Sequence, residues 1–134
     1  MIQGLNHIGI CVKAIDPVVE LLKKTIGAEE VARYSLPERN QVSCYVCLGK
    51  GGELLELMEP IGTTGTVADF LAKHGEGLHH ISLKTGNLDE TVLSFENSGC
   101  RIIGRSDEFA FVHPKTSFGV LYELVQMKEE GQGL

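Results

Sequence analysis

The chain has 134 residues, 43% of them hydrophobic and 22% charged, and a formal net charge of -6 at pH 7. That length and balance describe one soluble globular domain able to bury its own core, and the acidic excess argues against nucleic acid or an anionic membrane surface as a partner. No stretch approaches the roughly 20 apolar residues of a membrane span, and Met1-Ile2-Gln3 leads into no basic-then-apolar leader, so a cytoplasmic location is expected.

Residues 5–12 alternate as a strand. Asp16-Pro17 reads as an N-cap followed by proline at the first helical position, opening a helix that runs through Ile26 and ends at Gly27. Strands are expected at about 29–35, 42–48 and 53–59, and Pro60 closes this β-α-β-β-β module. Gly62-Thr63-Thr64-Gly65 is a turn, and residues 66–74 form a short amphipathic helix. The order then repeats, with a strand at 78–85, a helix from Leu88 or Asp89 to Ser98 stopped by Gly99, and strands at about 101–104, 108–113 and 119–126. The expected organisation is one domain: module one at about 3–60, a linker helix at about 61–77, module two at about 78–127 and a flexible tail at 128–134.

The two modules are also alike in sequence. Leu5-Asn6-His7-Ile8-Gly9-Ile10 aligns with Leu78-His79-His80-Ile81-Ser82-Leu83, and Asp16 falls opposite Asp89. Each copy later reaches a matching strand, Gly52-Glu53-Leu54-Leu55-Glu56-Leu57 and Gly119-Val120-Leu121-Tyr122-Glu123-Leu124. Strand parity sets His7 and His80 apart from the apolar stripe of their strands, whereas His79 shares the face of Ile81 and Leu83. Glu56 and Glu123 each interrupt an apolar run, where a carboxylate is costly unless paired or metal-bound. Two half-sites related by pseudo-twofold symmetry supply two imidazoles and two carboxylates, a ligand set for one divalent ion; Co, Ni, Mn, Fe and Zn all suit such donors.

Cys44-Tyr45-Val46-Cys47 is a C-x-x-C, but residues three apart in a strand face opposite ways, and Cys11 and Cys100 complete no second pair. The four cysteines are expected to be structural thiols in a reducing compartment. His74 is read as a solvated helix end, His79 as a wall residue, His113 as support for the Pro114 turn, and Glu59 as a strand-end charge. Lys115 is read as a surface lysine, and Arg39 as a candidate phosphate contact.

A duplicated β-α-β-β-β module with His on its first strand and Glu on its fourth resembles the vicinal oxygen chelate superfamily. Within it the chain is most similar to the methylmalonyl-CoA epimerase family. The segments that carry this are Asn6-His7-Ile8-Gly9-Ile10, Leu54-Leu55-Glu56-Leu57-Met58-Glu59-Pro60, Gly75-Glu76-Gly77-Leu78-His79-His80-Ile81, and Phe111-Val112-His113-Pro114-Lys115 running into Gly119-Val120-Leu121-Tyr122-Glu123-Leu124. The resemblance implies an α+β fold, two tandem modules forming a cupped, partly closed mixed sheet around a metal site. It implies metal ligation by His7, Glu56, His80 and Glu123. It also implies an acyl-CoA substrate, a homodimer, and epimerisation of methylmalonyl-CoA by proton abstraction and reprotonation through a metal-stabilised enolate.

The family's catalytic Glu sits in a Pro-Glu-x-Gly-Val turn. Here Pro37-Glu38-Arg39-Asn40-Gln41-Val42 reads as one residue longer and lacks the Gly, with Glu38 as the match and Glu38 with Glu123 as the acid/base pair. Lys84-Thr85-Gly86-Asn87 departs from the family pattern. Glyoxalase I shares the metal logic, but Val19-Glu20-Leu21-Leu22 lacks the aromatic pair expected in its first helix. A non-enzymatic small-molecule-binding protein of the same fold is the other alternative, and it commonly dispenses with the ligands found here.

Overall fold

The computed structural model describes residues 1–128, so the tail expectation for 129–134 lies outside the described residues. The chain is α+β, with eight strands, three α-helices and two 3-10 turns among the described residues. It divides into two compact units, one of residues 7–79 and one of residues 1–6 together with the chain from His80 onward. No helix among the described residues is long and apolar enough to cross a membrane.

The contiguous unit holds the second half of β1 (Ile2–Cys11), α1 (Ile15–Ile26), β2 (Glu29–Leu36), a 3-10 turn at Pro37–Arg39, β3 (Gln41–Cys47), β4 (Leu54–Pro60) and α2 (Thr66–His74). Its strands run in the order β2-β3-β4-β1, antiparallel except for β4 beside β1, which is parallel. Ile15, Val18, Val19 and Leu22 recur at helical spacing and give α1 its apolar stripe. That stripe packs on Ile10 of β1, Val12 just after it, Cys44 and Val46 of β3 and Leu57 of β4. On the opposite face of the strands, Cys11 and Met58 pack against Val67, Phe70 and Leu71 of α2. Gly27, with φ 71°, closes α1 in the left-handed conformation that costs glycine least, and its N–H donates to Lys23 O at 3.1 Å.

One expectation is corrected here. The helix opens at Ile15 rather than after Asp16, with Ala14 as an N-cap that offers no side-chain acceptor. The acceptor comes from across the sheet: Glu59 Oε1 takes the Ile15 N–H at 2.8 Å. Glu59 is therefore a helix cap and not a spare strand-end charge, while Asp16 points outward to pair with Arg33 at 2.8 Å.

The second unit holds the His80–Thr85 part of β5 (Gly77–Thr85), α3 (Leu88–Asn97), β6 (Ile102–Ile103), β7 (Phe109–Val112), a 3-10 turn at Pro114–Thr116 and β8 (Tyr122–Gln126). Its strands run β5-β8-β7-β6, with β5 and β8 parallel. Leu88 and Val92 of α3 pack on Ala110, Val112 and Leu124. The Lys84–Asn87 segment, atypical in sequence, is a capping device. Asn87 Oδ1 accepts from Glu90 N at 3.0 Å, and the buried Thr85 hydroxyl lies 2.7 Å from that of Thr91.

The capping of α3 repeats that of α1. Leu88 N donates to Gln126 Oε1 at 2.7 Å, as Ile15 N does to Glu59. Ile15 and Leu88 each stand eight residues after the module's histidine, and Glu59 and Gln126 each stand three after its glutamate. In each unit this hydrogen bond fastens the glutamate-bearing strand to the helix that the histidine-bearing strand leads into.

Replacing Glu59 with alanine strips the first helical amide of its acceptor. The expected cost is about 0.5–2 kcal/mol, read as a lower urea midpoint with an unchanged slope. Glu59→Gln, which keeps an acceptor oxygen, should recover most of it.

Candidate metal centre

In the contiguous unit, β1 and β4 lie parallel with Gly9 opposite Glu56, so His7 and Glu56 project from the same face. His7 Nε2 is 3.2 Å from Glu56 Oε1, and the two residues are 5% and 7% exposed. Tyr45 stands opposite Glu56 on β3 and meets the His7 ring edge-on, centroids 5.6 Å apart at 85°. Tyr34 follows at 6.3 Å from Tyr45.

The second unit repeats the arrangement. Ser82 lies opposite Glu123 across the parallel β5/β8 pair, and His80 Nε2 is 4.0 Å from Glu123 Oε1. His80 is buried and Glu123 partly so. Phe111, opposite Glu123 on β7, meets the His80 ring edge-on at 6.4 Å and 90°. Each half therefore sets an imidazole beside a carboxylate and walls the pair with an aromatic ring.

The donor chemistry fits a first-row divalent ion. In each unit the paired donors are an imidazole nitrogen and a carboxylate oxygen, and none of the four predicted ligands is a thiolate. A buried carboxylate is costly unless its charge is compensated, and a divalent cation would supply such compensation.

Other predicted residues fall as follows. Glu38 is exposed in the 3-10 turn and makes no hydrogen bond or ion pair with the described residues, so its carboxylate is uncommitted. Asn40 adopts φ 54°, ψ 45°, the left-handed conformation that favours glycine, and β3 begins directly after it at Gln41. His79 packs edge-on to Phe70 at 5.1 Å, and His74 is exposed at the end of α2. His113 Nδ1 accepts from Lys115 N at 3.1 Å, supporting the Pro114 turn, and Lys115 is exposed.

Tyr45, Phe111 and Ser82 were not singled out from sequence. Their signal is parity: each lies on the face of its strand that carries a predicted ligand or stands opposite one. Ser82 is 0% exposed, and its hydroxyl has no hydrogen-bond partner among the described residues, a lack worth about 1–3 kcal/mol in a folded protein.

The profile of the Glyoxalase/Bleomycin resistance protein/Dioxygenase superfamily matches residues 6–118. The chain belongs to that superfamily. Human mitochondrial methylmalonyl-CoA epimerase is 30% identical over 130 residues, spanning 91% of this chain and 73% of that protein. The ethylmalonyl-CoA/methylmalonyl-CoA epimerase of Cereibacter sphaeroides is 28% identical over 136 residues, covering 95% of this chain and 100% of that one. Among solved structures, methylmalonyl-CoA epimerase from Mycobacterium tuberculosis superposes with a TM-score of 0.84 at 25% identity, covering 96% of this chain and 91% of that one. A variant of the Streptomyces coelicolor enzyme in complex with 2-nitronate-propionyl-CoA superposes at 0.83 with 30% identity, covering 96% and 100%. The superfamily read from the duplicated His and Glu strands is thus borne out, and with it the α+β vicinal oxygen chelate fold.

The thiols of this superfamily member stand apart from its chemistry. All four cysteines are free, and Cys47 donates to Gly49 O at 3.2 Å. Burial, with the nearby Glu56 charge adding to it, pushes the Cys11 thiol up to about 11; burial likewise raises that of Cys44. A raised value means less thiolate, the reactive form, at any given pH. At pH 8 a disulfide reagent should modify Cys47 and Cys100 and leave Cys11 and Cys44 untouched until the chain is unfolded.

Proposed function

We propose that the protein is a metal-dependent epimerase interconverting the 2R and 2S forms of methylmalonyl-CoA, with His7, Glu56, His80 and Glu123 as the ligands of one divalent ion. The observation that carries the reading is the pair of matched His–Glu half-sites, each on parallel strands, in a chain that aligns along most of its length with epimerases of this substrate. The two modules act in this reading as one domain. The complex of a related epimerase with 2-nitronate-propionyl-CoA supports a CoA thioester as the ligand.

A divalent ion held there supplies Lewis-acid stabilisation of the negative charge that develops on the substrate's oxygens, worth several kcal/mol. The chain's own groups move the proton. Glu38 and Glu123 approach C2 from opposite faces: one carboxylate takes the C2 proton as the C–H electrons pass into the thioester carbonyl. The other returns a proton to C2, and the configuration is inverted. Each well-placed acid/base group contributes roughly 10²–10⁴-fold. Glu38 suits this work because no partner among the described residues holds its carboxylate. The half-buried rings of Tyr45 and Phe111, edge-on to His7 and His80, limit water around the two histidines. Free thiols fit a cytoplasmic setting, and a homodimer completes the reading by likeness to the family.

Metal-loaded protein incubated with methylmalonyl-CoA in D₂O should place deuterium at C2 with loss of stereochemistry, followed by NMR, and a chelator should abolish it. Silence there, with conversion of the methylglyoxal–glutathione hemithioacetal, transfers the protein to glyoxalase I. Glu38→Gln should retain the metal yet lose inversion by about 10²-fold or more. Undiminished inversion in metal-loaded Glu38→Gln would overturn that residue's role.

A further inference from the structure

The half-sites match in their ligands but differ in what stands opposite each glutamate. On the parallel neighbour of β4, the residue opposite Glu56 is Gly9, which has no side chain. On the parallel neighbour of β8, the residue opposite Glu123 is Ser82. Ser82 is fully buried, its Oγ has no hydrogen-bond partner among the described residues, and parity turns it to the same face as His80. Buried hydroxyls are nearly always satisfied, usually by a nearby carbonyl, so one left unspent beside an ionisable ligand calls for an explanation.

We propose that Ser82 is a positioning residue for Glu123: its hydroxyl donates to the Glu123 carboxylate when that group turns to ligate a divalent ion. The inference rests on the reading of Glu123 as a metal ligand. Laterally paired strands stand about 4.8 Å apart, within reach of a serine hydroxyl and a glutamate carboxylate that share a face. Glu123 Oε1 is 4.0 Å from His80 Nε2, looser than the 3.2 Å between Glu56 and His7. A carboxylate that must ligate and also release to carry a proton gains from a second resting partner. Glu56 meets only a glycine at the matching position. Ser82 thereby makes the two carboxylates of a duplicated site unequal, one a fixed ligand and one a movable ligand.

The test uses the full chain and cobalt(II) alone, without substrate. Hydrogen-bonded supports of metal ligands typically change metal affinity by 10–100-fold, so Ser82→Ala should weaken cobalt(II) by about 10-fold or more and shift its visible absorption. Ser82→Thr, which restores a hydroxyl, should recover both. In a Glu123→Gln background Ser82→Ala should cost no further affinity, since the two residues act as one unit. The metal-free melting temperature of Ser82→Ala should equal or exceed that of the parent, because an orphaned hydroxyl is removed. A merely structural serine predicts the reverse: a lower metal-free melting temperature with unchanged cobalt(II) affinity and spectrum. That result overturns the inference, as does an equal loss of affinity in the Glu123→Gln background. Should alanine fail to fold, Ser82→Gly, which copies the Gly9 arrangement, is read by the same two measurements. Failure of the parent to take up cobalt(II) overturns both this inference and the metal reading. Failure of deuterium exchange alone, with the Ser82 effects intact, removes only the epimerase assignment.

Discussion

Much in this molecule depends on one lateral relation: a histidine-bearing strand held parallel to a glutamate-bearing strand, in a register that points both side chains the same way. Parallel neighbours need a crossover, and each unit makes it with a helix and two antiparallel strands. Register has little tolerance, because a shift of one residue turns every side chain to the opposite face. Each unit guards against that slip with a side-chain hydrogen bond, Glu59 to Ile15 N and Gln126 to Leu88 N. These bonds join the end of the glutamate strand to the start of the helix that follows the histidine strand. They satisfy helix amides and tie each histidine-bearing strand to its glutamate-bearing partner by the same contact.

Duplication explains why so much was legible beforehand. Alternation placed the strands to within a few residues, and the linker helix falls at Thr66–His74 as its polarity pattern demands. Where the reading failed, the deciding contact was remote in sequence. Asp16 has the chemistry of an N-cap, yet Glu59, 43 residues after it, caps the helix. The same contact explains why Glu59 looked idle: its partner is a backbone amide, which carries no residue-type signal. Residue identity alone did not give the conformation of Asn40, which is left-handed; asparagine enters that region more easily than other side chains. Tyr45 and Phe111 went unnoticed since an aromatic residue in a strand usually signifies core. Their register opposite the glutamates reveals them as ring neighbours of the histidines.

The two halves have diverged in a manner that suits division of labour. The first keeps a close His–Glu pair backed by glycine; the second has a wider pair, a buried hydroxyl and a neutral amide, Gln126, in the place of Glu59. Symmetry would hold two equivalent carboxylates equally well. Inversion at a carbon asks for inequality, with one group that stays and one that leaves.

The division of β1 between the units bears on the order of events at the ribosome. Residues 7–79 are contiguous, so that unit has its whole sequence available once α2 and the strand start after it have emerged. The other unit draws Met1 and Gln3 against Thr85 and Gly86, so its first six residues must wait for chain made some eighty residues later. A vectorially synthesised chain would close the half with the tight His7–Glu56 pair first, and the end of its opening strand would stay unpaired meanwhile, an exposed edge of the kind that invites mispairing in crowded cells.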